Sequence, residues 1–196
     1  MALRILGTAP PAFRLAAQRA LLRPPERRDW RAWAQLRGDS RAFLTPWEPT
    51  WSADSLARSA FYRRLQRYGT DWRQDLGYSF LLLRLEDDAL LGGIGLTNVR
   101  RGVAESASLG YWVGERFARQ GYMTEGLQLV LNFAFQRARL HRVEAACLPH
   151  NAASRGLLLK SGFREEGYAR GYLCIDGRWQ DHVLFAILRD EWTPQR

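Results

Sequence analysis

Cysteines are few and no long uncharged apolar stretch occurs, and both shortages narrow the classes of protein that this sequence can encode. Cys147 and Cys174 form no Cys-x-x-Cys pair and lie near no Cys/His cluster, which argues against a zinc site or a disulfide framework. We expect both to be buried apolar residues of a reduced cytoplasm. Arginines and prolines interrupt residues 1–22, so no signal peptide is indicated. Because no run of about 18 apolar residues occurs, we expect a soluble cytoplasmic protein without a membrane partner.

Acidic residues are outnumbered by basic ones, 20 against 29, and the formal net charge is +9. This excess favours a polyanionic ligand or surface, such as a nucleotide cofactor or a ribosome, although a solvated arginine-rich surface would give the same balance. The 46% hydrophobic content is typical of a globular protein, and 196 residues fit one domain. We therefore expect a single domain over residues 19–194, preceded by an N-terminal extension over residues 1–18.

Apolar periodicity predicts a mixed α/β (α+β) domain with a mostly antiparallel central sheet flanked by helices. Alternation and turn residues predict strands at 19–23, 78–85, 90–99, 104–113, 143–148, 163–175 and 182–189. Helical spacing predicts helices at 26–37, 53–68, 123–139 and 151–161. Two prolines should hold residues 43–51 as a rigid aromatic loop, and Asp176-Gly177 should turn the last hairpin.

One segment, residues 111–125, runs from a predicted strand through a loop directly into a helix. A helix start offers unpaired N–H groups and a positive dipole end, and Gly121 removes the side chain that would keep a phosphate away from them. The segment therefore indicates an anion-binding loop, although a single glycine before a helix is often only a turn.

A second segment gives the first a chemical meaning. Five residues follow the spacing Asn-x-x-Ser-x-x-Leu-x-x-x-x-Gly-Phe: Asn151, Ser154, Leu157, Gly162 and Phe163. This pattern closely resembles the second signature of the GNAT superfamily of N-acetyltransferases. The upstream segment then resembles the acetyl-CoA loop of that superfamily, at the required distance along the chain. The usual loop pattern, Gln/Arg-x-x-Gly-x-Gly/Ala, is altered at its first and last places, which hold Ala118 and Met123.

The resemblance implies the GNAT fold, acetyl-CoA as cosubstrate and no metal ion. The backbone of Tyr111, Trp112 and Val113 would pair with the pantetheine arm like an added strand. Asn151 would contact the cosubstrate near its reactive end. The amides that would hold the pyrophosphate belong to Gln120, Gly121, Tyr122, Met123 and Thr124.

Shorter patterns are similar to one branch of the superfamily, whose members acetylate the N-terminal alanine of a ribosomal protein. They include Pro46-Trp-Glu-Pro49, His141-Arg-Val-Glu144, Ile175-Asp-Gly-Arg-Trp179, Asp181-His-Val-Leu184 and Glu191-Trp-Thr-Pro194. The likeness implies a ribosomal-protein N-terminus as acceptor and the ribosome as a further partner, with no DNA partner, in a monomer or homodimer. Two alternatives stay open: an acetyltransferase of a small amine or antibiotic, and a basic ribosome-binding protein without catalysis.

Acetyl transfer to an amine needs a neutral nucleophile, an oxyanion stabiliser and a proton for the leaving thiolate. An α-amino group, with a pKa of about 8, is partly neutral without help. In related enzymes the residue at the Ser154 position is proposed to protonate the thiolate; the tyrosine that other branches place one turn later is Leu158 here. Glu144 and Glu105 are the candidate bases, because the glutamate of another branch is replaced by Leu173. Either glutamate could instead be a structural partner of an arginine.

For the acceptor, Trp47 could supply an aromatic wall and Glu48 a carboxylate for the ammonium group. The alternative is that Trp47 only packs a helix against the sheet. Three histidines, His141, His150 and His182, show no recognisable partner spacing, and we expect structural roles for them.

Overall fold

The protein, described by a computed structural model over residues 13–193, contains one eight-stranded mixed sheet. The strands are β1 (Leu15–Ala16), β2 (Ala20–Arg23), β3 (Tyr78–Arg84), β4 (Leu90–Arg100), β5 (Ser106–Val113), β6 (Arg142–Cys147), β7 (Arg164–Ile175) and β8 (Arg178–Leu188). Their order is β1-β2-β3-β4-β5-β6-β8-β7. Residues 1–12 of the predicted extension and Pro194 of the last motif lie outside the described residues.

Five α-helices accompany the sheet in this part of the chain. They are α1 (Trp30–Asp39), α2 (Arg41–Leu44), α3 (Arg58–Arg73), α4 (Tyr122–Asn132) and α5 (Ala152–Lys160). A π-helical turn, Phe133–Arg137, continues α4, so the predicted helix over 123–139 is two helical segments in sequence. The strands and helices follow the predicted order, with additions at β1 and α2.

Strand pairing confirms the predicted mostly antiparallel sheet. All neighbouring strands run antiparallel except β5 and β6, which run parallel because α4 crosses between them. The two-residue strand β1 lies within the predicted extension and pairs with β2, so the sheet begins before the strand predicted at 19–23. Phe13 adds to this end of the core by packing on Trp72, Phe80 and Phe133.

Two apolar clusters fill the two faces of the sheet. On one face, α4 buries Leu127, Val130 and Leu131 completely, and α5 adds Leu158. On the other face, α1 and α3 pack residues such as Trp33 and Phe61 against β2 and β3. Truncating one of these buried side chains would cost about 2–5 kcal/mol of unfolding free energy. The helices on both faces therefore hold the centre of the sheet firmly in place.

Local predictions differ from the structure in several places, and the last strand, predicted from residue 182, begins at Arg178. The helix predicted from residue 53 begins at Arg58, because the hydrogen bond from Ser52 Oγ to Asp54 holds a non-helical turn before it. The segment predicted as a rigid aromatic loop, residues 43–51, contains the end of α2 and a 3-10 turn, Thr45–Trp47, which accepts Pro46 in its first turn. Cys147 is buried as expected, but Cys174 is exposed, because it lies on β7, the edge strand of the sheet, whose residues are mostly exposed.

Candidate active site

The sheet opens between its two parallel strands. Pairing of β5 with β6 covers only three positions, from Ser106 opposite Arg142 to Ser108 opposite Glu144. Beyond them, residues 109–113 of β5 and 145–147 of β6 have no ladder partner in each other, although each strand stays paired on its other side. The strands therefore diverge into a wedge whose edges carry backbone groups free to pair with an extended ligand.

The predicted anion-binding loop lies at the start of α4, directly after β5. Gly121 is the residue before the helix and adopts a left-handed conformation with φ +86°. In the described part of the chain, the amides of residues 120–124 donate to no protein acceptor, while Glu125 N–H already bonds to the Gly121 carbonyl. These are the free donors and the positive dipole end that a diphosphate needs.

The departure from the usual loop pattern at Met123 leaves the loop backbone intact. The Met123 side chain points into the core and is 8% exposed, whereas its amide belongs to the first turn of α4. Ala118 N–H bonds to the Glu115 carbonyl at 3.0 Å and closes the short turn before the loop. Both altered positions are thus used for packing or turn formation, and the anion-binding groups are main-chain N–H groups.

At the wedge, Ser154 of α5 lies beside a tyrosine from the facing strand. The hydroxyl oxygens of Tyr111 and Ser154 are 2.7 Å apart. Burial raises the pKa of Tyr111 to about 12, and the hydrogen bond with Ser154 acts in the opposite direction. Burial likewise raises the pKa of the Cys147 thiol, and the nearby Ser154 hydroxyl acts in the opposite direction. Three protonated groups from β5, β6 and α5 therefore meet at one point.

The phenol of Tyr111 was missed as a functional group by sequence reasoning, which assigned only its backbone. Other branches place a tyrosine one turn after the serine, where this chain has the fully buried Leu158. Here a phenol reaches the same serine from β5 instead. The period-two alternation of β5, with Ala107 and Leu109 buried on the face that carries Tyr111, could have indicated this direction.

Asn151 is the residue before α5, and its side chain already has a structural partner. Its Oδ1 accepts the Ser154 N–H at 3.0 Å, which is an N-cap hydrogen bond. The cap fixes the first turn of α5 and therefore the position of the Ser154 hydroxyl. The side-chain amide nitrogen of Asn151 makes no hydrogen bond with another described residue and stays available to a ligand.

Glu48, the predicted carboxylate for an acceptor ammonium, is paired within the protein. Arg37 donates to both of its oxygens, and Trp51 Nε1 donates to Oε2 at 2.9 Å. The Arg37 guanidinium also stacks on the rings of Trp33, Trp51 and Trp112. The ion pair is largely buried, with side-chain exposures of 11% and 20%. Because Arg37 also contacts Trp112 of β5, the cluster holds the Pro46–Pro49 segment against that strand.

The Pro46–Pro49 segment nevertheless lies close to the end of β6. The Trp47 ring centre is 5.5 Å from that of His150, just before α5. The Asp176 N–H donates to the Glu48 carbonyl at 3.0 Å, which joins the segment to the turn between β7 and β8. The segment therefore bridges the last hairpin and the start of α5, so an acceptor chain entering the wedge from this side would meet Trp47.

The two candidate bases lie in ion pairs away from the open end of the wedge. Glu144 lies where β5 and β6 are still paired, and it accepts from Arg100 and Arg142, each at 2.9 Å. Glu105 precedes β5, at the end opposite the loop, and accepts from Arg101 at 3.0 Å. The structure thus brings Ser154, Asn151 and Tyr111 together but does not bring either glutamate to them.

The histidines differ in their surroundings. His182 is buried, its Nδ1 is 3.0 Å from the Gln180 carbonyl, and its ring packs edge-on against Tyr172. His141 and His150 are exposed. Between residues 13 and 193, no group of three or more His, Cys, Asp or Glu side chains is arranged to hold a metal ion.

Comparison with known proteins agrees with this geometry. The acetyltransferase (GNAT) domain family matches residues 19–164. The ribosomal protein uS5-alanine N-acetyltransferase of Escherichia coli (strain K12) is 35% identical over 187 residues, which cover 95% of this chain and 96% of the relative. The chain belongs to the GNAT acetyltransferase family.

Solved structures of this family share the fold of most of the chain. Mycobacterium smegmatis RimJ in complex with CoA-disulfide matches with a TM-score of 0.84 and 35% identity over 90% of this chain and 84% of that one. The ribosomal-protein-S5-alanine acetyltransferase of Vibrio fischeri matches with a TM-score of 0.85 and 26% identity over 93% of this chain and 100% of that one. The predicted GNAT fold is confirmed, and the protein is an acetyl-CoA-dependent N-acetyltransferase.

The residues at the opening fit this cosubstrate. The free amides at residues 120–124 suit its diphosphate, and the unpaired edges of the wedge suit its extended pantetheine arm. A side chain at Gly121 would point towards Arg19 Nη2, 3.0 Å from its Cβ, and would be strained by the positive φ. No helix within residues 13–193 is long and apolar enough to span a bilayer.

Proposed function

We propose that this N-acetyltransferase acetylates the N-terminal alanine of a ribosomal protein. The observation that carries the proposal is the wedge between β5 and β6, where the Tyr111 and Ser154 hydroxyls meet at 2.7 Å. The names of the relatives from Escherichia coli and Vibrio fischeri support the acceptor class. Identity over nearly the full length supports a shared acceptor more strongly than a shared domain alone would.

The loop amides of Gln120, Gly121, Tyr122, Met123 and Thr124 hold the diphosphate in this proposal. The backbone of Tyr111, Trp112 and Val113 pairs with the pantetheine arm, and the Asn151 side-chain amide donates near its reactive end. Bound acetyl-CoA supplies an acetyl group activated as a thioester, and CoA leaves as a thiolate when the acetyl group is transferred to the amine. The remaining chemistry is proton transfer by the protein's own residues.

Ser154 and Tyr111 provide the proton for the departing thiolate. Ser154 Oγ gives its proton to the thiolate and takes another from the Tyr111 phenol through their hydrogen bond. The acceptor nitrogen releases one proton to solvent as the amide forms, and the Tyr111 phenolate regains one from solvent, so the protons balance. A pKa of about 12 keeps that phenol protonated throughout the physiological range. The raised pKa of Cys147 keeps the neighbouring thiol neutral, so it does not compete as a nucleophile.

The acceptor amine enters from the side of Trp47 and needs little help from a base. A free α-amino group has a pKa of about 8, so a useful fraction is neutral near pH 7. Glu144 and Glu105 stay in their arginine pairs and take no part in the proton transfer. Glu48 acts by holding the segment that carries Trp47, and Trp47 forms an aromatic wall for the acceptor chain.

The same proposal covers partners and location. The +9 charge suits an enzyme that meets its acceptor near ribosomal RNA in the cytoplasm. Exposed arginines on the outer side of α3, Arg58, Arg63 and Arg67, are candidates for that contact.

Incubation with acetyl-CoA and synthetic peptides, followed by mass measurement, tests the acceptor class. A peptide that copies an alanine-led ribosomal-protein N-terminus should gain one acetyl group. The same peptide with a blocked N-terminus, or with an internal lysine as its only free amine, should not. Acetylation of small amines or antibiotics without any gain on alanine-led peptides would contradict the proposal, and so would absence of transfer to every acceptor.

A further inference from the structure

Arg19 is far from the loop in sequence, but its side chain lies against the start of α4. Its Nε donates to Glu125 Oε1 at 2.7 Å, and its Nη2 donates to the Gln120 carbonyl at 3.3 Å. Its guanidinium carbon is 4.9 Å from the centre of the Tyr122 ring. Since Nη2 is also 3.0 Å from where a Cβ of Gly121 would be, the cation borders the predicted anion-binding loop.

The backbone around Arg19 is fixed independently of its guanidinium. Glu125 Oε2 accepts the N–H of Arg19 at 2.9 Å and the N–H of Ala20 at 3.1 Å. This carboxylate is 19% exposed, whereas the Arg19 side chain is 49% exposed. The buried end of the pair therefore anchors the start of β2 to α4, and the exposed end presents a cation beside the loop.

Donor groups of Arg19 remain available at this position. A guanidinium has five N–H donors, and Glu125 and Gln120 take one each. Among the described residues, the other three have no acceptor. Neighbouring side chains add positive charge, because Arg116 and Arg119 are exposed in the same loop. A guanidinium with free donors suits phosphate oxygens, which it can bind in a bidentate manner.

We propose that Arg19 is a binding residue for the diphosphate of the cosubstrate, beside the amides of residues 120–124. The inference rests on the proposed role of those amides in this N-acetyltransferase. The amides supply directed N–H donors, and Arg19 supplies the formal charge that the main chain lacks. The Tyr122 ring orients the guanidinium, so little conformational entropy is lost when a phosphate binds.

Calorimetry of CoA binding to the full chain tests the role of Arg19. Arg19→Gln should raise the Kd for CoA about tenfold, because one charge-assisted contact to phosphate is lost. Arg19→Lys should raise the Kd less, because lysine keeps the positive charge and loses only the bidentate geometry of the guanidinium. Arg189→Gln is the matched control: Arg189 is 48% exposed and pairs with Asp190 at the end of β8. It should leave the Kd within about twofold.

A second pair of measurements separates binding of the diphosphate by Arg19 from a purely structural role of Arg19 beside the loop. Glu125→Gln keeps an acceptor for the backbone N–H groups and removes a negative charge near the diphosphate, so CoA should bind equally well or more tightly. S-acetylpantetheine lacks the diphosphate and nucleotide, and its kcat/KM should be the same for Arg19→Gln and the wild type. All variants should melt within a few degrees of one another.

Three results would overturn the proposal: an unchanged Kd in Arg19→Gln, an equal loss of CoA affinity in Glu125→Gln, or an equal loss of activity with S-acetylpantetheine. Each result would show that Arg19 only supports the structure of the loop and does not bind the diphosphate. These outcomes are distinct from failure of the proposed function, in which the wild-type protein itself would not bind CoA, and which would overturn both.

Discussion

On the α4 and α5 side of the wedge, main-chain donors are left without protein partners, whereas on the α1 side the polar groups bind one another. The amides of residues 120–124 have no acceptor among the described residues. Glu48 in contrast is held by Arg37 and Trp51. The first side is built to bind an anion with its backbone, and the second is built to hold an aromatic segment in place.

This difference explains why the sequence predicts the cosubstrate side of the wedge better than the acceptor side. A backbone site needs only a glycine and a helix start, and a short motif specifies both. An acceptor surface depends on side chains whose availability is set by neighbours distant in sequence. Glu48 shows this, because the pattern Pro-Trp-Glu-Pro gives no sign that the carboxylate is already paired.

The largest expected effect concerns the proton donor on the cosubstrate side. Tyr111→Phe should lower kcat about 100-fold and leave the Kd for CoA within about twofold, because only the phenol oxygen is removed. Ser154→Ala should have a comparable effect, and the double variant should lose little more, since the two hydroxyls act as one relay. Steady-state kinetics with calorimetry checks this. An unchanged kcat in Tyr111→Phe would remove the phenol from the mechanism.

On the acceptor side, Glu48→Gln should act on stability and leave the cosubstrate site intact. Breaking the largely buried pair with Arg37 should cost about 2 kcal/mol of unfolding free energy, and CoA should bind as before. Urea unfolding and calorimetry measure the two quantities. If stability were unchanged while the KM for the alanine-led peptide rose strongly, Glu48 would contact the acceptor directly, and the contrast between the two sides would fail.

Gly121→Ala should weaken CoA binding about tenfold, because a side chain in the left-handed region costs about 1–2 kcal/mol and crowds Arg19. Gly102→Ala is a matched control, with φ +71° and open space around it. It should lose similar stability without any change in CoA affinity. Equal CoA affinities in both variants and the wild type would show that the loop holds no phosphate.

Asn151→Ala should lower stability by about 1 kcal/mol through loss of the helix cap and should also weaken CoA binding. Asn151→Asp keeps the capping oxygen but loses the amide N–H groups, so it should recover stability without recovering affinity. Thermal melts with titration calorimetry separate the two roles. Full recovery of CoA affinity in Asn151→Asp would reduce Asn151 to a cap.

The smallest expected effect concerns pH, because kcat should not change over the range in which the enzyme can be assayed. A raised pKa means that the phenol keeps its proton until the pH rises through about 12. The Tyr111 donor therefore stays present across the range in which the enzyme can be assayed, and kcat should stay level from pH 8 to about 10. A decline in kcat centred between pH 8 and 10 in the wild type, absent in Tyr111→Phe, would contradict this prediction. It would show that the phenol loses its proton at a lower pH.

Sequence alone predicted the mixed antiparallel sheet, most elements and the cosubstrate segments, because period-two runs, glycines and signature spacing are local features. It did not predict β1, whose two residues owe their extended form to β2. Nor did it predict the Tyr111–Ser154 contact, which joins residues 43 positions apart, or the exposure of Cys174. These depend on where α5 and the last hairpin lie, and only tertiary packing sets that.

Hydrogen–deuterium exchange of the full-length protein with and without CoA tests the cosubstrate wedge most directly. Binding should slow exchange in the amides of residues 109–113 and 120–124, which have free N–H groups or lie along the open edge of β5. Exchange in α3 should stay the same. Protection elsewhere with unchanged exchange in both segments would contradict a cosubstrate site between β5 and β6.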